Sequence, residues 1–115
     1  EGYSSIFTYT VEDSQRFGVL ETDKDGIVVS FEEKPEHPKS NLISTGLFFY
    51  DYTIFEKVDR IELSPRGEYE MADVNEMYLR EGKLKAITLD GSVKWYDAGT
   101  ADALLQASCD AKDFI

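Results

Sequence analysis

A run of apolar and β-branched residues at positions 27–31 is the feature that most constrains the fold, because it predicts a β-strand. Side chains alternate between the two faces of a strand. One predicted face therefore carries three apolar side chains followed by a carboxylate, in the order Ile27, Val29, Phe31 and Glu33. Such a face packs on a core along most of its length and offers an acid at its end.

The predicted strand ends where a carboxylate and a cation stand side by side. Lys34 follows Glu33, and Pro35 is expected to stop the ladder and to hold Lys34 extended. An acceptor next to a cation suits a ligand that has hydroxyls and a negative group. An ordinary polar strand end is the alternative, because strands are commonly bounded by polar residues.

Composition and charge limit the class of protein. The 115 residues fit a single domain, predicted to span residues 1–115, and 42% of them are hydrophobic, which suffices for a core. The 23 acidic and 12 basic residues give a formal charge of −11, which argues against nucleic acid or an anionic membrane as the main partner. Cys109 is the only cysteine and permits no internal disulfide, so a cytoplasmic location is expected.

The order of predicted elements indicates an α/β or α+β fold with a mixed β-sheet and flanking helices. Period-two patterns predict strands at residues 6–11, 17–22, 27–33, 42–50, 84–89 and 93–97. Helical spacing predicts helices at residues 52–61 and 71–81, and a third after Thr100, which can cap it. Gly26 is expected to take a positive φ in a hairpin turn, and Gly82 is expected to end the second helix.

Glycines and charged residues near predicted strand ends are candidate site residues. Gly18 and Gly46 lie inside predicted strands, where a glycine permits close approach of a ligand or marks a bulge. Asp97 ends a predicted strand, a common place for ligands and hard cations, although it could instead cap the following helix. Arg66 lies in a Pro/Gly loop and could bind a phosphate or instead pair with one of the nearby acids Glu68, Glu70 and Asp73.

Five ordered segments together resemble the sugar-1-phosphate nucleotidyltransferases, most closely those that use glucose-1-phosphate and dTTP. The segments lie at residues 16–19, 33–41, 45–47, 66–75 and 95–100. They read RFGV, EKP with PKSN, TGL, RGE with DVN, and WYD with GT. The resemblance implies that the chain is the C-terminal, sugar-phosphate part of a Rossmann-like nucleotide-diphospho-sugar transferase fold.

The resemblance also implies a role for each candidate residue. Gly18 and Glu33 would contact sugar hydroxyls, and the turn of Ser44, Thr45 and Gly46 would line the sugar site. Lys34 and Arg66 would hold the sugar phosphate and act as the catalytic cations. Asp97 would be one of two aspartates that bind Mg²⁺.

The implied reaction joins a sugar-1-phosphate to a nucleoside triphosphate, giving dTDP-glucose and pyrophosphate from glucose-1-phosphate and dTTP. A UTP-, CTP- or GTP-dependent enzyme and a non-catalytic sugar-phosphate-sensing module are the alternatives. The family's glycine-rich loop and second metal aspartate have no counterpart in the 115 residues. We therefore expect a piece of a longer protein that is inactive alone and that, because a sheet edge would be unpaired, forms a homo-oligomer.

Overall fold

The computed structural model describes residues 3–114 and folds them around one five-stranded mixed sheet. The strands are β1 (Ser4–Thr10), β2 (Gly18–Thr22), β3 (Val28–Glu33), β4 (Leu42–Phe49) and β5 (Leu84–Thr88). The helices are α1 (Ile54–Val58), α2 (Met71–Arg80) and α3 (Ala101–Phe114), and a 3₁₀ turn covers Ser14–Arg16. The predicted α/β class, with a mixed sheet and flanking helices, is confirmed.

The strand order across the sheet is β3-β2-β4-β1-β5. β5 runs parallel to β1, and the other neighbours are antiparallel. β2 and β3 form the predicted hairpin, whose turn closes with a bond from the Gly26 N–H to the Asp23 carbonyl at 3.1 Å. Gly26 has a φ of 81°, as its position in the turn predicts.

A bulge in β3 changes the predicted alternation. Glu21 pairs with Ser30 and Thr22 pairs with Val28, so Val29 is an extra residue in the ladder. Val28 is therefore 2% exposed and joins the core, whereas Val29 is 58% exposed. The prediction that Val29 faces the core is wrong, because one extra residue shifts the pleat before the strand reaches its polar end.

A larger irregularity lies in β4, where the sequence predicts an interruption. Ile6 of β1 pairs with Phe48 but Thr8 pairs with Ser44, so β4 uses two residues more than β1 over this stretch. Gly46 sits in the bulge with a φ of 85°, a value that glycine adopts without strain. The Thr45 hydroxyl donates to the Phe7 carbonyl at 2.8 Å and ties the bulge to the neighbouring strand.

The core forms between the sheet and α2. Its buried side chains are Ile6, Leu20, Val28, Val74, Tyr78 and Leu84. Val74 and Tyr78 are four residues apart and share the face that α2 turns to the sheet. This packing fixes the N-terminus of α2 beside the ends of β2 and β3, and Gly82 follows the helix with the predicted positive φ of 70°.

Residues 93–97 form no strand, contrary to the sequence prediction. Side chains hold this segment instead of a β-ladder. The Tyr9 hydroxyl donates to the Val93 carbonyl at 3.3 Å, and the Trp95 indole N–H donates to the Thr45 carbonyl at 3.2 Å. Alternating apolar residues therefore mark a segment pinned by aromatic contacts rather than a strand.

The first helix departs from the sequence prediction and the third agrees with it. α1 is shorter than the predicted 52–61, and α3 begins after Thr100, whose hydroxyl accepts a bond from the Ala103 N–H at 3.1 Å, as predicted. No described residue of α3 is buried, and Cys109 is exposed. None of the helices in residues 3–114 has the length and apolar character needed to cross a bilayer.

Candidate functional site

A cleft of about 360 Å³ opens where the end of β3, the β4 bulge, the start of α2 and the pinned segment around Trp95 meet. It brings together seven of the eight residues that the sequence marks as site candidates. These are Gly18, Glu33, Lys34, Ser44, Thr45, Gly46 and Asp97. Arg66 is not among the residues that line the cleft. Segments 79 residues apart in sequence, from position 18 to position 97, thus meet at one site.

Gly18 leaves room for two side chains of the neighbouring strand. A Cβ at this position would lie 2.7 Å from Phe31 Cζ and 3.1 Å from Glu33 Oε2, closer than carbon and oxygen atoms normally approach. Gly18 pairs directly with Glu33 across the hairpin. The glycine therefore lets the Phe31 ring and the Glu33 carboxylate lie over the backbone of β2 at the cleft.

Lys34 adopts a left-handed backbone conformation with a φ of 46°. The prediction that Pro35 holds it extended is wrong. The Lys34 N–H donates to the Phe17 carbonyl at 3.0 Å, and the buried ring of Pro35 follows, so contacts on both sides hold the turn. A non-glycine residue in this region costs about 1–3 kcal/mol, and such strain concentrates at functional sites.

Three charged groups face the cleft with no partner in the described part of the chain. Among residues 3–114, the side chains of Glu33, Lys34 and Asp97 make no ion pair or hydrogen bond. Arg16 also lines the cleft, but its guanidinium pairs with Asp13 at 2.9 Å and lies 5.4 Å from the centre of the Phe17 ring. The cleft therefore offers two cations and two carboxylates, and three of these four groups have no partner among the described residues.

Arg66 lies outside the cleft in the loop before α2. Its guanidinium forms a two-pronged pair with Glu70, with Nε–Oε1 and Nη2–Oε2 distances of 2.5 and 2.9 Å, and contacts Glu68 at 3.2 Å. The hydrogen bond between them raises the pKa of Arg66 and lowers the pKa of Glu70. The structure shows the pairing that the sequence left open for Arg66, and its role as a phosphate ligand stays a prediction.

Asp97 reaches the cleft because its segment is anchored two residues earlier, at Trp95. Trp95 packs edge-on against Phe17, with ring centres 5.4 Å apart, in addition to its bond to the Thr45 carbonyl. Thr100, and not Asp97, caps α3. Gly99 lies so close to Asp97 that a Cβ there would approach its Oδ1 to 3.3 Å. The alternative reading of Asp97 as a helix cap is therefore wrong.

The acidic groups fit only a partial metal site. The residues that the structure describes contain no group of three or more His, Cys, Asp or Glu side chains able to hold a metal ion. Mg²⁺ is usually held by one or two carboxylates together with phosphate oxygens and water. The unpartnered carboxylate of Asp97 fits that ligand set as a single contributor.

The sequence did not mark several residues that the structure places at the cleft. They include Phe17, Phe48, Met71, Ala72, Asn75 and Trp95. Asn75 and Trp95 lie in the segments that carry the family resemblance, so position in a shared segment was the available signal. Phe48 lies in none of these segments and carries no such signal, because only the β4 bulge brings it to the site.

Comparison with known proteins agrees with this arrangement. Residues 1–113 match the family described as Nucleotidyl transferase. The chain is 44% identical over 111 residues to a glucose-1-phosphate thymidylyltransferase of Mycolicibacterium smegmatis, covering 96% of the chain and 37% of the relative. It is 41% identical over 105 residues to the enzyme of the same name from Neisseria gonorrhoeae, covering 91% of the chain and 36% of that relative.

A solved structure gives the same result. A Bacillus anthracis protein assigned as a glucose-1-phosphate thymidylyltransferase, solved in complex with sucrose, superposes with a TM-score of 0.82 at 34% identity. The superposition covers 98% of this chain and 45% of that one. The chain thus spans less than half the length of these relatives, and over that length it belongs to the nucleotidyl transferase family.

Proposed function

We propose that this chain supplies the sugar-1-phosphate-binding part of a glucose-1-phosphate thymidylyltransferase. The observation that carries the proposal is the cleft, where Glu33 and Lys34 face open space without a partner among the described residues. The identity of 44% to a relative that bears this name supports glucose-1-phosphate and dTTP as the substrates and dTDP-glucose and pyrophosphate as the products.

The polar groups of the cleft suit a sugar phosphate in both of its parts. The Glu33 carboxylate accepts hydrogen bonds and can orient sugar hydroxyls, while Lys34 donates to a phosphate. The β4 bulge exposes the backbone of Thr45 and Gly46 at the sugar end of the cleft. Phe31 and Trp95 supply apolar surface against which a sugar ring can pack.

Local cations are needed because the chain as a whole is strongly acidic. A formal charge of −11 repels an anionic ligand at long range. Lys34 and Arg16 line the cleft and oppose that repulsion at short range, where screening is weakest. We propose that Lys34, which has no acidic partner among the described residues, binds the phosphate directly, and that Arg66 adds a second cation if its loop closes.

In the proposed reaction an oxygen of the sugar phosphate attacks the α-phosphorus of the nucleoside triphosphate, and pyrophosphate leaves. The chain's residues bind and orient the sugar phosphate, and Lys34 reduces the charge repulsion between two anions. Mg²⁺, when bound, would neutralise charge on the triphosphate, and Asp97 would be its ligand from this chain. No protein nucleophile is required, since the substrate supplies the attacking oxygen.

The cytoplasmic location and the homo-oligomer stay predictions of the sequence. A UTP-, CTP- or GTP-dependent activity stays the alternative that the sequence left open. Competition among the four nucleoside triphosphates in one assay separates these activities.

The test replaces Lys34 by methionine in the protein that carries this chain. Loss of a charge-assisted contact to phosphate is expected to lower kcat/KM for glucose-1-phosphate by about 10- to 100-fold, with KM raised and kcat lowered. Pyrophosphate release measures both parameters. Lys39→Met is the matched control, because Lys39 lies in the same loop, pairs with Glu32 at 3.2 Å and does not line the cleft. Equal kcat/KM in the two variants would remove Lys34 from the phosphate site.

A further inference from the structure

Asn75 is a buried polar residue at the wall of the cleft. It lies on α2, is 6% exposed, and lines the cleft together with Phe31 and Phe48. An amide side chain so well enclosed costs free energy unless each of its ends finds a partner. The partners of its two ends therefore show what the residue does.

Tyr50 occupies the oxygen end of that amide. Its hydroxyl donates to Asn75 Oδ1 at 2.6 Å. Burial raises the pKa of Tyr50 to about 12, so the phenol is protonated at neutral pH and acts as a donor. A phenol that donates selects the amide oxygen, so the NH₂ group must point the other way.

Other side chains hold in place the Tyr50 ring that contacts Asn75. Tyr50 packs against Tyr78, with ring centres 5.7 Å apart, and the Tyr78 hydroxyl lies 2.9 Å from Thr53 Oγ1. Lys57 Nζ lies 4.4 Å from the centre of the Tyr78 ring. These contacts fix Tyr50 before any ligand arrives, and through it they fix the orientation of the Asn75 amide.

The nitrogen end of Asn75 has no partner among residues 3–114. The amide nitrogen also keeps some solvent exposure. In the described part of the chain, the fully enclosed side-chain polar atom that lacks a partner is Ser4 Oγ, and the Asn75 nitrogen is not one. Asn75 borders the cleft of about 360 Å³ and a crevice of about 20 Å³ beside Leu79 and Leu84. The crevice holds no more than about one water, whereas the cleft can hold a sugar.

We infer that the Asn75 NH₂ group donates a hydrogen bond to a hydroxyl of the sugar phosphate in the cleft, and that Tyr50 is the residue that positions it. This inference rests on the proposed function. A sugar hydroxyl both donates and accepts, and the Glu33 carboxylate can only accept. Asn75 supplies the complementary neutral donor, which makes it a residue that selects among sugars by hydroxyl position.

The test compares glucose-1-phosphate with its monodeoxy analogues in the protein that carries this chain. Asn75→Leu has a side chain of similar size and removes both N–H donors without offering the sugar hydroxyl a new acceptor, as a carboxylate would. General effects of the substitution act on every sugar phosphate alike, so the ratio of Kd between each deoxy analogue and glucose-1-phosphate isolates the lost hydrogen bond. Loss of a neutral hydrogen bond corresponds to about a 2- to 10-fold change in Kd.

We expect one deoxy analogue to bind about 2- to 10-fold more weakly than glucose-1-phosphate in the unaltered protein, and that ratio to fall to about 1 in Asn75→Leu. Tyr50→Phe should reduce the same ratio and leave the others unchanged. Asn41→Leu is the matched control, because Asn41 is exposed and lies outside the cleft, and all ratios should persist.

Unchanged ratios in Asn75→Leu would overturn the inference and leave Asn75 a structural residue, while the unaltered protein's binding of glucose-1-phosphate would still support the proposed function. Failure of the unaltered protein to bind glucose-1-phosphate would overturn the proposed function and the inference with it. If the variant does not fold, NMR on the unaltered protein decides. The Asn75 side-chain amide signals should shift with glucose-1-phosphate and not with inorganic phosphate, and a signal that shifts with neither would refute a direct contact.

Discussion

Replacing Gly18 by alanine tests how tightly the cleft floor is built. The new Cβ would lie 2.7 Å from Phe31 Cζ and 3.1 Å from Phe31 Cε1, whereas carbon atoms pack at about 3.5–4.0 Å. The ring would have to retreat by about 1 Å from a core contact. Overpacking of this kind costs about 1–3 kcal/mol, and the lower entropy of the unfolded alanine chain returns about 0.4–1 kcal/mol.

We therefore expect Gly18→Ala to lower the free energy of unfolding by about 1–2 kcal/mol. It should also weaken glucose-1-phosphate binding, because Glu33 Oε2 lies 3.1 Å from the new methyl group. Urea titration followed by Trp95 fluorescence measures stability, and calorimetry measures binding. Gly91→Ala is the matched control, since nothing lies within 4 Å of its Cβ and its φ is not left-handed.

A second substitution checks the cause. Phe31→Leu removes the ring atoms that the new methyl group meets, so Gly18→Ala should cost less in the Phe31→Leu background than alone. The same cost in both backgrounds, or a stability of Gly18→Ala equal to that of Gly91→Ala, would show that the contact with Phe31 does not explain the need for glycine.

Three further predictions follow. Asp97→Asn should leave the unfolding transition unchanged. It should raise the Mg²⁺ concentration for half-maximal turnover by at least about 10-fold, the cost of losing an outer-shell metal partner. Asp102→Asn, at an exposed position in α3, is the control, and equal Mg²⁺ titrations of the two variants would exclude Asp97 as a ligand. Burial raises the pKa of Tyr50 to about 12, and the hydrogen bond to Asp110 raises the pKa of Tyr96 to about 12. The stabilisation from both tyrosines is therefore complete below their ordinary pKa of 10.0 and is lost as the pH rises towards 12. Phenolate absorbance should show two tyrosines that titrate late, and urea midpoints should fall between these pH values; ordinary titration of every tyrosine would contradict the prediction. The 115-residue chain alone should release no measurable pyrophosphate from dTTP and glucose-1-phosphate. The reason is that losing one binding half removes an effective-molarity advantage of about 7–11 kcal/mol. Turnover by this chain would refute the prediction if the Asp97→Asn substitution abolished it.

Local sequence accounts for much of the fold. The β2–β3 hairpin follows from two apolar runs joined by a glycine turn, and α2 follows from apolar residues at helical spacing that end at Gly82. Both depend on periodicity and on backbone freedom, which neighbouring residues determine. For the same reason the mixed α/β class could be predicted from the order of the elements.

The sequence alone also marked seven of the fifteen residues that line the cleft. Gly18, Glu33, Lys34 and Asp97 stand out because strand ends and strand glycines place polar groups and backbone at an edge, and the family segments add the β4 turn. That level of argument cannot count bulges, so it placed Val29 on the wrong face. It also made a strand of residues 93–97, where contacts from distant side chains replace a β-ladder.

Only the tertiary structure decided what depends on contacts between distant segments. Lys34 takes a left-handed turn because its N–H donates to the carbonyl of Phe17, 17 residues earlier in the chain. The donor end of Asn75 faces the cleft because Tyr50, 25 residues away, occupies its oxygen. Hydrogen bonds of this kind have no periodicity along the chain, so the sequence determined which residues were available and the packing determined which way they face.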